Sequence, residues 1–268
     1  MRRTLALAVV LGAAWAAVAA ADGGGPSPGP SFGPPGVVDH ARGIRYVTLL
    51  AGNSTLVEAV STHGGRILRW TTVRGTLGLP MVAWDGSMGG LTRDGEHLVL
   101  ATPQSPGSTR FVLLHAGTLK VLARARLRGS WTFDALSPDG STMYLLEYLG
   151  RFGSVAQPYA VRAFNWNTGR LYPGAIVDKR EPDEKMNGQP VTRTGSPNGW
   201  AYTLYTRQHK RPFVHALDTL HRRAFCIDID WRSPPAGTKM RVRGRMLELR
   251  FEGRTIARVD RKTLEVIR

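Results

Sequence analysis

From residue 44 onward the chain is a succession of short apolar runs separated by turn residues, and several of these runs alternate apolar and polar positions. The segments ARARLRG and RVDRKTLEV show a period of two, which is typical of an antiparallel strand with one buried face. No segment of comparable length has the period of a helix. The pattern therefore predicts an all-β protein.

A turn of the Asp-Gly or Asn-Gly type recurs between apolar runs. Such turns favour β-hairpins because Gly and Asn tolerate a positive φ. The turn glycines lie 45, 59 and 45 residues apart, a spacing typical of repeated β units. Three copies have Asp or Asn before the glycine: LTRDGEHLVLA (91–101), LSPDGSTMYLL (136–146) and GSPNGWAYTLY (195–205), with Gly95, Gly140 and Gly199. A fourth copy, VRGRMLELRF (242–251), keeps the glycine, Gly244, after an arginine.

A second predicted hairpin follows each of these copies, so that each repeat carries four strands. The second hairpins are 110–127, 159–177, 212–229 and 254–267. An earlier unit, 45–73, supplies three more strands, and GVVDHA (36–41) is the candidate for its missing inner strand. The repeats therefore number about five.

The SPDG segment that enters a strand, followed by FNWNTGRLY or ALDTLHRRAF, resembles the YVTN and WD40-like β-propeller repeats of bacterial exported proteins. The resemblance covers residues 45–268, and Asn165 and Asp218 match the aspartate that opens a turn in that family. It implies radial blades around a central channel but no single activity. We therefore predict a small β-propeller over residues 44–268, with about five blades of four-stranded antiparallel sheets that stack into a closed ring.

The amino terminus predicts export. Arg2 and Arg3 precede an uncharged run from Leu5 to Ala21 that ends in small residues, the pattern of a signal peptide over residues 1–21 with cleavage after Ala20 or Ala21. An uncleaved anchor, and with it a membrane-attached sensor domain, is the alternative. Residues 22–43 are rich in Gly and Pro and predict a linker. The expected location is secreted or in the cell envelope.

Composition and charge restrict the classes of partner that we expect for this protein. With 42% hydrophobic and 21% charged residues the chain can bury a full core, and its single cysteine, Cys226, cannot form an intramolecular disulfide. The net charge is +16, and residues 201–268 contain 16 basic against 7 acidic residues. For an exported protein this favours anionic wall polymers or lipid head groups, and no nucleic acid is expected. Arg exceeds Lys by 30 to 6, a bias that codon usage alone can also produce.

The long connections of the predicted meander fall at one end of the blades, and loops on a rigid scaffold commonly bind ligands. On this long-loop face Trp84 and Asp85 combine a stacking surface with an acceptor, which suits a sugar or a cation; the competing interpretation is an aromatic that fills the gap between blades. His209, Lys210 and Arg211 form a basic cluster suited to a phosphate or carboxylate, or simply a solvated loop tip. These five residues are the predicted binding residues.

No catalytic residue, metal site or cofactor is predicted. The histidines lack metal-ligand spacing, and the chain has no GxSxG motif. The leading hypothesis is a non-enzymatic binding or scaffolding module for a protein, a glycan or an anionic wall polymer. The alternative is a hydrolase or lactonase-like enzyme at the channel mouth, for which two of the acids Asp85, Asp134 and Glu147 would have to converge. The oligomeric state is open.

Overall fold

The structure is a computed structural model that describes residues 28–151, 157–183 and 185–267. The predicted signal peptide, residues 1–21, and the beginning of the predicted linker lie outside these residues. The described part of the chain consists of strands, turns and irregular segments and contains no α-helix. Accordingly, it has no helix with the length and apolar character required to cross a bilayer.

The strands are short and follow one another closely along the chain. In chain order they are β1 (Gly29–Ser31), β2 (Val37–Asp39), β3 (Ile44–Ala51), β4 (Ser54–Ser61), β5 (Ile67–Arg74), β6 (Leu79–Met81), β7 (His97–Ala101), β8 (Ser108–His115), β9 (Val121–Arg128), β10 (Trp131–Leu136), β11 (Thr142–Tyr148), β12 (Tyr159–Asn165), β13 (Arg170–Leu171), β14 (Gln189–Gly195), β15 (Trp200–Arg207), β16 (Lys210–Asp218), β17 (Arg223–Asp228), β18 (Lys239–Arg243), β19 (Met246–Phe251), β20 (Arg254–Asp260) and β21 (Glu265–Ile267).

Five antiparallel meanders form the blades of a small β-propeller, which confirms the predicted fold class. Blade 1 is β2–β5, blade 2 is β7–β9, blade 3 is β10–β13, blade 4 is β14–β17 and blade 5 is β18–β21. In each blade the strands are hydrogen-bonded in sequence order, so the first strand lies at one edge and the last strand at the other. A further pair, β1 with β6, lies outside the blades.

Alternating burial explains why these residues form strands. In β4 the side chains of Thr55, Val57 and Ala59 are buried, whereas the residues between them are partly exposed. Successive side chains of a strand point to opposite faces, so the sequence TLVEAV gives one face to the core and the other to solvent. The period of two read from the sequence is therefore the period of burial.

The predicted Gly turns close the first hairpins of blades 3, 4 and 5, but the prediction for blade 2 is only partly correct. There the first strand is reduced to a single bridge between Leu91 and Leu98, so blade 2 has three strands instead of four. The reason lies upstream. Met88 pairs with Met81 in a separate hairpin, which leaves little chain to extend the ladder beyond Leu91.

The predicted linker, residues 22–43, contains two paired strands in the structure. Val37–Asp39 pairs with β3 and is the inner strand of blade 1, as proposed for the GVVDHA segment. Gly29–Ser31 pairs with β6, and the Gly33 amide donates to the carbonyl of Thr48 at 2.7 Å. These partners satisfy the backbone of a segment whose side chains bury little apolar surface, a contribution that composition does not reveal.

Apolar side chains fill the contacts between successive blades. Four clusters join blade 1 to 2, 2 to 3, 3 to 4 and 4 to 5, and representative members are Tyr46 with Leu114, Phe111 with Leu145, Tyr144 with Leu217, and Leu204 with Leu249. None of these clusters of described residues joins blade 5 to blade 1. Blade 1 instead leaves Ile67 and Trp70 exposed. Apolar clusters of described residues thus pack the four contacts between successive blades of the predicted ring.

Candidate functional site

The sequence order of the strands places the longer connections at one end of the blades. In a meander the second turn and the connection to the next blade lie at the same end, opposite the first and third turns. The segments that carry Trp84, Asp85 and His209–Arg211 belong to this long-loop face. The two groups occupy separate places on it, since the groove that His209–Arg211 border is not lined by Trp84 or Asp85.

Trp84 and Asp85 lie at the tip of the hairpin formed by Met81 and Met88. The amide of Trp84 donates to the carbonyl of Pro190 at 3.0 Å, and the amide of Asp85 donates to the carbonyl of Val191 at 3.2 Å. The tip of the hairpin is thus hydrogen-bonded to the inner strand of blade 4. The indole of Trp84 remains 45% exposed, so it is available to a ligand from solvent.

The Asp85 carboxylate is engaged by the protein itself. Its Oδ1 accepts from the amide and hydroxyl of Ser87, at 3.0 and 2.6 Å, and its Oδ2 accepts from Lys239 Nζ at 2.8 Å. Burial raises the pKa of Asp85, but the hydrogen bonds from Lys239 and Ser87 outweigh it and hold the pKa below its ordinary value. Asp85 therefore links blade 5 to the connection between blades 1 and 2.

The basic cluster of the sequence lies in the turn between β15 and β16 and borders an open groove of about 550 Å³. The other wall comes from the connection between blades 4 and 5 and consists of Asp230, Trp231 and Arg232. Arg211 Nη2 lies 3.4 Å from Asp230 Oδ1, but both side chains are largely exposed and their ion pair is weak.

The hairpin beneath the groove is held rigidly. Arg207 Nη2 donates to Asp228 Oδ1 at 2.8 Å, its Nε donates to the carbonyl of Arg211 at 2.8 Å, and its guanidinium lies 4.6 Å from the centre of the Phe213 ring. The tip is therefore presented on an ordered base. Sequence reasoning missed Trp231 and Arg232 as groove residues, because only the fold brings this connection beside the β15–β16 turn.

A second cavity, of about 370 Å³, opens near the tight turns at the other end and is lined by the inner segments of blades 2, 3 and 4. Within it Arg193 Nη1 donates to Asp134 Oδ1 at 2.5 Å, and the two side chains are only 12% and 2% exposed. Asp134 Oδ2 and Ser196 Oγ are buried there without a partner among the described residues.

The three acids considered for a hydrolase lie apart. Asp85 is bound to Lys239, Asp134 to Arg193, and Glu147 accepts from Arg162 Nη1 at 2.7 Å. Glycoside hydrolysis needs two carboxyl groups on either side of the scissile bond. Neither the groove nor the cavity of about 370 Å³ is lined by two of these acids.

Metal-ligating side chains do not cluster in the described residues: no group of three His, Cys, Asp or Glu side chains there could hold a metal ion. Cys226, the only cysteine of the chain, lies partly buried in β17. Its amide donates to Asp178 Oδ2 at 2.8 Å. This part of the molecule therefore has a structural hydrogen bond between the strand and the connection that precedes blade 4.

The fold defines a β-propeller, and comparison with known proteins adds likeness at that level only. No family model and no curated protein matches the chain. Solved structures similar to it include TolB from Acinetobacter baumannii (12% identity, TM-score 0.42, 82% of this chain and 49% of that chain). Others are the propeller domain of Cps50 (Swd1) from Myceliophteria thermophila (14%, 0.47, 88% and 65%) and hydrazine synthase from Kuenenia stuttgartiensis (19%, 0.43, 66% and 46%). The chain thus spans less than half the length of two of these three proteins.

Proposed function

We propose that this protein is an exported, non-enzymatic binding propeller that holds an anionic polymer or glycan of the cell envelope on its long-loop face. The observation that carries this proposal is the groove in which His209, Lys210 and Arg211 face Trp231 and Arg232. Trp231 is partly exposed and offers a stacking surface to a sugar ring, while ammonium and guanidinium groups bind phosphate or carboxylate.

Electrostatics favours an anionic ligand over a neutral one. The net charge of +16 attracts polyanions from a distance, and the groove adds close contacts to this general attraction. Asp230 is the acid in the lining, and its loose pairing with Arg211 leaves the cationic side chains free to exchange partners. A protein ligand with an acidic segment would use the same groups, and the experiment below distinguishes it.

The test is the double variant Lys210→Gln/Arg211→Gln, assayed for binding to labelled poly(glycerol phosphate). Two exposed charge contacts are each worth up to about 1 kcal/mol, so affinity should fall about tenfold at low salt. The dependence of affinity on salt should weaken as well. The matched control is Arg243→Gln/Arg254→Gln, which removes two exposed charges from blade 5.

Equal losses in the two double variants would mean general charge attraction and would refute the groove as the site. Wild-type binding to an acidic peptide but not to the polymer would replace the polymer by a protein partner. Export makes a separate claim: after secretion in a bacterial host, mass spectrometry should find a chain that begins at Ala21 or Asp22. An intact Met1 terminus in the membrane fraction would favour the anchored form instead.

A further inference from the structure

Four arginines surround a cleft between blades 1 and 2, and none of them lines the groove of blade 4. Arg74, at the end of β5, and Arg110, Arg124 and Arg126, on β8 and β9, line a cavity of about 190 Å³. This volume corresponds to roughly six water molecules at about 30 Å³ each. The cleft is therefore large enough for a small ligand.

The strand register explains how the arginines come together. Arg110 pairs with Arg126 across β8 and β9, and Val112 pairs with Arg124, so these side chains share one face of blade 2. Val112 belongs to the apolar cluster between blades 1 and 2, which shows that this face is turned toward blade 1. The sequence signal was ARARLR, whose alternation places Arg124 and Arg126 on the same side.

Gly75, next to Arg74, leaves room for the guanidinium of Arg110. A Cβ at Gly75 would lie 3.2 Å from Arg110 Nη2, and the φ of Gly75 is +106°, in the region that favours glycine. The backbone of blade 1 and the side chain of blade 2 therefore meet at this point, and they bring the end of β5 close to Arg110.

No carboxylate balances these four charges. The lining contains neither Asp nor Glu, and none of the four arginines takes part in an ion pair with another described residue. Their one side-chain hydrogen bond to another described residue runs from Arg126 Nε to Ser108 Oγ at 3.2 Å. Like charges directly opposite each other in a sheet repel, and an anion between them would relieve the repulsion.

Two other arginines that connect blades have acidic partners. Arg42 pairs with Asp39 and Glu96, and Arg193 pairs with Asp134. The arginines of the cleft differ from these two. The base of the cleft is apolar, since Leu77 and Val112 belong to the cluster between blades 1 and 2 and are each 2% exposed.

From this combination we infer that the cleft binds a small organic anion, namely a phosphate, sulfate or carboxylate group attached to a compact apolar body. The charged group would accept hydrogen bonds from the guanidinium groups, which present paired donors to oxyanions. The apolar body would cover the base formed by Leu77 and Val112. The inference does not depend on the groove at Lys210 and Arg211.

The experiment measures binding of phenyl phosphate, inorganic phosphate and benzyl alcohol to the protein by calorimetry. Phenyl phosphate should bind saturably and more tightly than either of the other two compounds, because only it offers both the charge and the ring. In Arg110→Gln/Arg126→Gln its Kd should rise at least tenfold. The matched control Arg243→Gln/Arg254→Gln, which removes the same charge from blade 5, should change the Kd less than twofold.

Each contrary outcome has a definite meaning. No saturable binding of phenyl phosphate, or an equal loss in both double variants, would show that the arginines form a solvated surface and would overturn the inference. Inorganic phosphate binding as tightly as phenyl phosphate would overturn the apolar part of the ligand. Unchanged binding of the polymer in Arg110→Gln/Arg126→Gln, together with weakened binding of phenyl phosphate, would separate this site from the proposed function.

Discussion

Arginine side chains have opposite surroundings in the contact between blades 3 and 4 and in the cleft between blades 1 and 2. Between blades 3 and 4, Arg193 is 12% exposed and bound to Asp134, and burial raises the pKa of the neighbouring Tyr159 and Tyr205 so that both stay neutral. In the cleft, Arg110 and Arg126 are exposed and face each other without a carboxylate. A guanidinium with a buried partner serves the fold, whereas one without a partner is available to a ligand.

The largest effect is expected where the buried pair is broken. Asp134→Ala leaves Arg193 with an uncompensated charge inside the contact, which costs about 3–5 kcal/mol of unfolding free energy. Urea denaturation measures this loss as a lower midpoint. The double variant Asp134→Ala/Arg193→Met should lose less than Asp134→Ala alone, because it removes the stranded charge. A loss below about 1 kcal/mol in Asp134→Ala would mean that the pair does not hold the blades together.

Sequence reasoning reached the fold because each blade is local. The turn glycines Gly140 and Gly199 adopt φ of +71° and +76° inside the predicted hairpins, and alternation within each strand sets its buried face. Partners between blades are not local. Asp134 and Arg193 are 59 positions apart, and no pattern in either strand shows that they meet.

The same limit applies to the candidate sites. His209, Lys210 and Arg211 stood out because they are adjacent in the sequence, whereas the groove depends equally on Trp231 from another connection. In the cleft, Arg74 and Arg110 come from different blades, and the lining contains no acidic residue. The sequence alone shows neither of these facts. Neighbouring charges in sequence can be read directly, but the balance of charge around them requires the fold.

A second, smaller effect concerns His215, which lies on β16 in the contact between blades 3 and 4. Its side chain is 1% exposed, and its Nε2 has no hydrogen-bond partner among the described residues. Burial lowers the pKa of His215 from its usual 6.5 to about 4, and the nearby Asp134 opposes this shift without cancelling it. The folded protein therefore keeps the ring neutral at pH values where the unfolded chain protonates it.

Between pH 6.5 and pH 4 the unfolded chain binds more protons at this position than the folded one, so stability falls as the pH falls. The free energy of unfolding should fall by about 3 kcal/mol over the whole range, and this loss should not occur above pH 6.5. Urea midpoints measured across this range should decline in the wild type and decline less in His215→Leu. His40→Gln, which alters an exposed histidine, should follow the wild type. Parallel curves for His215→Leu and the wild type would refute the assignment.

The smallest effect is expected in the cleft, and its sign distinguishes the two regions. Arg110→Gln/Arg126→Gln removes two like charges that face each other, so the free energy of unfolding should stay within about 0.5 kcal/mol of the wild type, on the side of a gain. Because these side chains are exposed, salt screens their repulsion, and any gain should shrink when urea midpoints are measured at higher ionic strength. A loss above about 1 kcal/mol would show instead that the arginine stems pack against the apolar base and support the contact, as Arg193 does between blades 3 and 4. The arginines of the cleft would then be structural, and their lack of carboxylate partners would no longer indicate a place for an anion.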